Sequence, residues 1–403
     1  MPLDLRVRLR PRASPATNDA LAEHVSAAAG RIEHLDLQAD NLASLHKFLT
    51  WFSRLPSLRT LRLSHSADEM AELLVTDTLE FPLLTSLTLE GQLTLHRGVN
   101  AAVSCPVVSS LTGAFTNIHH VRALLLACPV TQSLTLLVGS KTVSHIEEHD
   151  DVDKLREQMA RAGLQTVHVS RAYDVDLAQI LTMFAGARLV RFGIDMHSSS
   201  DMRASSLQQL FREVEDPTEF ECLVVKGGLT RLALRAPNAA VTERCITLAL
   251  YQGDTRSETI LRDIWDDVLP PSGTDTITSM RIDSGFWPLI FSKPGVVAAT
   301  SVTIVFNSSQ RTIAMDEWFR DCDTGRIESG SGRSLPHLTD LVLSATDGDV
   351  TLDLGELTAS TILGALGVTS KLKRLHLEGI EVTGDVGMLQ AGVADLIETH
   401  GRL

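Results

Sequence analysis

An apolar residue, two of any kind, an apolar residue, one of any kind and a third apolar residue: this spacing recurs along almost the whole chain. Ile32, Leu35 and Leu37 form the first copy, and Leu58, Leu61, Leu63 and then Leu84, Leu87, Leu89 repeat it. Later copies are Leu164, Val167, Val169; Leu189, Phe192, Ile194; Leu229, Leu232, Leu234; Ile277, Met280, Ile282; Leu338, Leu341, Leu343; and Leu372, Leu375, Leu377, with a weaker one at Leu134 and Leu136. Middle anchors 35, 61 and 87 are 26 residues apart, and Leu111 and Leu134 follow after 24 and 23. That spacing at a period of about 20–29 residues is the pattern of a leucine-rich repeat.

Proline placement follows the same period. Pro56, Pro82, Pro106, Pro129 and Pro336 each stand five residues before a middle anchor, namely Leu61, Leu87, Leu111, Leu134 and Leu341. Proline fixes φ and lacks an amide donor, so it suits the point where the chain leaves a helix or loop and joins the next strand. The residues before these prolines are Leu55, Phe81, Cys105, Cys128 and Leu335. They read as one buried apolar slot per repeat, in which a free cysteine behaves as a small hydrophobe.

Between anchors the chain reads as helical: Leu42, Leu45, Leu49 and Phe52 share one helical face, and Met70, Leu73 and Leu74 suggest another helix. A strand and helix that cannot bury their apolar faces alone must stack on their neighbours. The expected fold class is therefore α/β, a leucine-rich-repeat solenoid of about ten to thirteen units, curved as a horseshoe with a parallel sheet on the concave face and helices on the convex face. One domain over residues 1–403 is expected: an N-terminal capping strand and helix in 1–30, repeats over 31–377, and a C-terminal cap in 378–403. Irregular inserts fall near 138–163, 196–228 and 235–275. Anchors Leu232 and Leu248 are 16 apart, too close for an intervening helix, so a tight strand-to-strand link is expected there. The Gly- and Ser-rich residues 324–334 read as a loop.

Charge and composition narrow the function classes. A formal net charge of -14 repels phosphate backbones, and aromatic residues make up only 4%, so nucleic acid is not an expected partner. No apolar run reaches the roughly 18 residues of a membrane span, and no signal-type apolar core opens the chain. A cytoplasmic or nuclear protein without membrane association is expected. The five cysteines are scattered and none forms a C-x-x-C pair, which indicates neither a disulfide framework nor a zinc site.

The N-terminal order is Pro2-Leu3-Asp4-Leu5-Arg6-Val7, a helix around Leu21 to Ala29, Arg31-Ile32-Glu33-His34-Leu35-Asp36-Leu37, and Leu-Pro-Ser-Leu-Arg-Thr-Leu-Arg-Leu over 55–63. This order resembles the leucine-rich portion of the large fungal F-box-like protein family. The resemblance spans about residue 2 to 377 and is one of pattern, without a catalytic motif. It implies a non-enzymatic substrate receptor of a cullin-type ubiquitin ligase, or a box-less relative of one. The F-box, a short helical segment opening with Leu-Pro, has no counterpart before Leu3, so the ligase adaptor is an expected partner only where an upstream F-box exists. The alternative is a scaffold unrelated to ubiquitin.

No cofactor, metal or catalytic site is expected. His145-Ile146-Glu147-Glu148-His149 fits the H-x-x-E-H pattern of inverted zinc peptidases, two imidazoles on one helical face with a glutamate base. Asp150, Asp151 and Asp153 follow within an insert, and we read the segment as a solvated helix start, keeping a zinc metallopeptidase as the remote alternative. Asp347, Asp349 and Asp353 lack the ligand spacing of a calcium loop and read as a polar turn. The expected binding surface is the concave face, on residues alternating with the buried anchors. Those assigned to it are His34, Asp36, Arg62, Glu90, His168, Arg191, Asp195, Arg235, Arg281, Asp283, Arg374, His376 and Glu378. Their mixed charges suit recognition of protein partners.

Overall fold

The periodic prolines open β-turns. In the computed structural model the Leu58 N–H donates to the Leu55 carbonyl at 3.2 Å, and equivalent bonds close Phe81–Leu84 (3.2 Å), Cys105–Val108 (3.3 Å), Cys128–Thr131 (3.3 Å) and Leu335–Leu338 (3.1 Å). Pro56, Pro82, Pro129 and Pro336 take the second turn position, where a preset φ near −65° is favoured. Leu55, Phe81, Cys105, Cys128 and Leu335 are all buried, as the spacing predicts. Immediately before each strand, one carbonyl accepts two N–H groups from the next rung: Thr85 and Ser86 donate to Arg59 O at 2.8 and 3.1 Å, and Ser109 and Ser110 to Thr85 O at 3.0 and 3.1 Å. The same pairing links Thr218, Thr278, Thr300 and Thr339 in the second half of the chain. Threonine suits the position because its hydroxyl also donates to the preceding carbonyl, as from Thr300 to Thr278 O at 3.3 Å and Thr339 to Thr300 O at 3.1 Å.

The structure describes residues 2–9, 23–40, 42–51, 55–65, 71–75, 79–90, 93–97, 103–105, 107–115, 117–138, 149–184, 186–197, 204–225, 228–250, 259, 276–288, 297–307, 312–320, 334–345, 350–355, 357–368, 371–379, 381–384, 389 and 393–399. The chain forms two units, Met1–Asp201 and Met202–Leu403.

In the first unit the strands are β1 (Leu3–Leu9), β2 (Ile32–Ala39), β3 (Thr60–His65), β4 (Ala71–Val75), β5 (Leu79–Glu80), β6 (Ser86–Glu90), β7 (Leu93–Arg97), β8 (Val103–Ser104), β9 (Ser110–Phe115), β10 (Ser133–Val138), β11 (Thr166–Ala172) and β12 (Arg191–Met196). A parallel sheet runs β1-β2-β3-β6-β9-β10-β11-β12. Its register places each middle anchor beside the next, Leu35 by Leu61, Leu61 by Leu87, Leu87 by Leu111 and Leu111 by Leu134. Every aligned leucine is buried, each worth roughly 1.5–3 kcal/mol relative to exposure. The face that holds these leucines is covered by helices α1 (Leu42–Trp51), α2 (Ile118–Ala127), α3 (His149–Ala162) and α4 (Asp174–Phe184). Asn117 caps α2 by accepting the His120 N–H at 3.0 Å, and Ile118, Val121, Leu124 and Leu125 make its buried stripe. One expectation is corrected here. Leu73 and Leu74 lie in β4, which pairs in parallel with β7, so strands replace the helix expected before Pro82.

The second unit begins with α5 (Ala204–Phe211), then β13 (Glu219–Val225), β14 (Leu229–Arg235), β15 (Glu243–Leu248), β16 (Ser279–Asp283), β17 (Ser301–Phe306), β18 (Thr312–Ala314), β19 (Asp340–Ala345), β20 (Thr351–Asp353), α6 (Ala359–Ala365), β21 (Leu372–Glu378), β22 (Glu381–Thr383) and β23 (Val393–Thr399). The order is β15-β14-β13-β16-β17-β19-β21-β23, with β18-β20-β22 a separate parallel sheet. β14 is antiparallel to both β13 and β15, which includes the strand-to-strand link expected from the Leu232 and Leu248 spacing. Gly228, at φ +76°, makes the β13–β14 turn. β13 lies within the 196–228 segment read as an insert, and β17 and β23 complete the three strands of the large sheet that the repeat search passes over. Most of the loop 324–334 lies outside the described residues.

Candidate functional site

Side chains between the buried anchors stand on the opposite face of the strands, where register arranges them in rows. In the first unit Asp36 aligns with Arg62, and Ser64 with Glu90. Arg62 Nη2 donates to Glu90 Oε2 at 2.8 Å, and Nη1 lies 3.9 Å from Asp36 Oδ2. The hydrogen bond to Glu90, then the charges of Glu90 and Asp36, raise the pKa of this exposed guanidinium. His34 Nδ1 lies 3.0 Å from Thr60 Oγ1 on the adjoining row.

Further along, His168 Nε2 is 2.8 Å from Asp195 Oδ2, and Ser170 Oγ donates to the same oxygen at 3.4 Å. Gly193 stands directly opposite His168, so Asp195 reaches it diagonally. A nucleophile relay needs the hydroxyl on the imidazole. Here hydroxyl and imidazole share one carboxylate oxygen instead. Arg191 is exposed on the row of Thr166.

The second unit holds a denser cluster. Arg235 Nη1 donates to Glu221 Oε2 at 3.2 Å and its Nε to Glu243 Oε1 at 3.1 Å, while Arg231 Nη2 donates to Glu243 Oε1 at 2.7 Å. Burial lowers the pKa of Arg235, but the charges and hydrogen bonds of Glu221 and Glu243 outweigh it and leave it raised. Glu221 is nearly buried, and two guanidiniums satisfy its charge. Arg281 is exposed directly opposite Glu221 in the register. Arg374 Nε pairs with Asp340 Oδ1 at 3.3 Å, His376 is half-buried and Glu378 exposed.

Asp283 is corrected: it is 1% exposed and belongs to no open face. The Asn307 amide donates to its Oδ2 and the Gly285 N–H to its Oδ1 at 3.0 Å, so the carboxylate folds back over the strand end as a turn former. Glu221, Glu243, Asp340, Arg6 and Arg8 are not among the residues that the sequence assigns to the face, although Arg6 and Arg8 alternate with apolar residues on the N-terminal strand. The alternation Glu219-Phe220-Glu221-Cys222 was the signal for Glu221, hidden because a strand was not expected in an insert.

Residues 145–148 of the H-x-x-E-H segment lie outside the described residues, and His149 starts α3. Among the described residues no three His, Cys, Asp or Glu side chains gather in a metal-binding group. Of the segment read as a polar turn, Asp347 and Asp349 lie outside the described residues, and Asp353, at the end of β20, accepts the Gly355 N–H on its Oδ1 at 3.2 Å. The Cys105 and Cys128 thiols fill successive slots, and their mutual hydrogen bond, then burial, holds Cys128 well above the ordinary thiol range. Burial, then the charges of Asp283 and Glu221, does the same to Cys222. No helix among the described residues is long and apolar enough to cross a membrane. Comparison of the chain with protein-family models and with curated proteins finds no match.

Proposed function

We propose that this chain is a non-enzymatic protein-recognition module of leucine-rich-repeat type, with the polar rows of its mostly parallel sheet as the concave binding face. The observation that carries the reading is the aligned, mixed-charge side chains on consecutive strands, exemplified by Asp36, Arg62 and Glu90. Rigid strands hold such rows at fixed spacing, which gives register and charge selectivity toward a partner. The resemblance to F-box-like proteins makes a ubiquitin-ligase substrate receptor the specific form of the proposal, and a scaffold its rival.

Photo-crosslinking residues at Arg62, His168, Arg281 and Arg374, with Arg161 and Arg320 as controls, test the reading in extracts of the source cells. One shared partner captured at the first set and not at the controls is the expected result. Capture of the same proteins at both sets would overturn the face assignment. Recovery of the ligase adaptor by the full-length gene product would favour the receptor over the scaffold.

A further inference from the structure

β1 pairs in the main sheet with β2 alone and carries Arg6 and Arg8 on its exposed face, opposite Asp36 and Gln38. With Arg62, Gln38, Ser64 and Glu90 they line a cavity of about 410 Å³ within the first unit. The two carboxylates of this cavity are both engaged by one arginine, Arg62 with Glu90 at 2.8 Å and with Asp36 at 3.9 Å. Arg6 and Arg8 form no ion pair among the described residues. A chain of net charge -14 thus presents at a concavity two adjacent guanidiniums that pair with no carboxylate among the described residues.

Spacing specifies what fits. Arg6 and Arg8 are two residues apart on a strand, a separation of about 6.6 Å at the usual rise per residue. An extended peptide places its own alternate side chains on one side at the same interval. The planar fork of arginine matches a carboxylate in bidentate fashion. Gln38 and Ser64 add neutral hydrogen-bonding groups beside the arginines.

We infer that the Arg6–Arg8 cavity binds an extended acidic protein segment with carboxylates at alternate positions, Glu-x-Glu or Asp-x-Asp. This inference rests on the recognition reading and names the partner chemistry at one end of that face.

The test is fluorescence anisotropy of the full chain with labelled peptides: Gly-Ser-Glu-Ser-Glu-Ser-Gly, the same peptide with adjacent glutamates, its Lys-x-Lys counterpart, and a single-phosphoserine version. Glu-x-Glu is expected to bind most tightly, the lysine peptide not at all, and affinity should fall as salt is raised. Arg6→Gln and Arg8→Gln should each weaken binding about tenfold, as for loss of a charge-assisted contact, while Arg161→Gln, at an exposed position on α3, changes nothing. These variants are at exposed positions, and circular dichroism checks that each is folded. Equal binding of the lysine peptide, or unchanged binding in Arg6→Gln and Arg8→Gln, overturns the inference. Tighter binding of phosphoserine than of Glu-x-Glu overturns its paired-carboxylate form. Crosslinking at Arg281 and Arg374 that persists when all peptides fail sinks this inference alone and leaves the recognition reading standing.

Discussion

Arg244 donates two hydrogen bonds to a single oxygen of Glu213, from Nε at 2.9 Å and from Nη2 at 2.7 Å, with its guanidinium fully buried. Its position on β15 alternates with Cys245 and aligns with Leu234, on the apolar side of the strand. Burial lowers the Arg244 pKa, and the hydrogen bond and charge of Glu213 oppose that shift. Glu213→Ala should destabilise the protein by about 3–5 kcal/mol in urea unfolding, because a buried cation loses its counter-charge. Arg244→Met combined with Glu213→Leu should recover most of that loss, and a double variant as unstable as Glu213→Ala would contradict the assignment.

Gly113 occupies an anchor position where other repeats hold leucine, isoleucine or valine, and a Cβ there would stand 2.8 Å from Leu124 Cδ1 of α2. Leu124 fills the slot that an anchor side chain would otherwise take. Gly113→Leu should cost about 1–3 kcal/mol by overpacking. Adding Leu124→Ala should return part of it, so a double-mutant cycle with no coupling would refute this packing relation.

The buried thiols predict a weakening at alkaline pH. Cys222 keeps its proton in the folded state while the unfolded thiol ionises near its ordinary value of 9.0, so its contribution is whole below that pH and is lost as pH rises above it. Cys222→Ala should flatten the fall of unfolding free energy between about pH 9 and 10.5 by roughly 1.4 kcal/mol per pH unit. An unchanged slope would show that this thiol is not protected.

Protein purified without added metal should contain well under one zinc per chain by mass spectrometry. A catalytic zinc needs a third protein ligand and an enclosed site, whereas adjacent helix residues project about 100° apart and do not readily complete one tetrahedron, and Asp151 is already paired with Arg122 at 3.0 Å. One tightly held equivalent that disappears on His145→Ala, together with peptidase activity lost on Glu148→Gln, would overturn both the prediction and the non-enzymatic proposal.

Strand positions were legible in the sequence because burial acts locally: a fixed apolar spacing selects one face of each strand, and the register aligns the anchors so identified, Leu61 with Leu87 and Leu341 with Leu375. The prolines added the turns, since their preset φ is independent of distant contacts. Arg62 and Glu90 were readable as neighbours on one face for the same reason. What lay between strands depended on partners far along the chain. Residues 71–75 are extended because 93–97 offer a parallel edge, β13 is a strand because β14 and β16 flank it, and Asp283 is buried because Asn307 satisfies it. The sequence alone therefore determined the repeat and its polar face, through short-range periodicity. Only tertiary structure decided which charges neutralise one another and which, like those of Arg6 and Arg8, have no ion pair among the described residues, because pairing is set by distances across strands that no local spacing encodes.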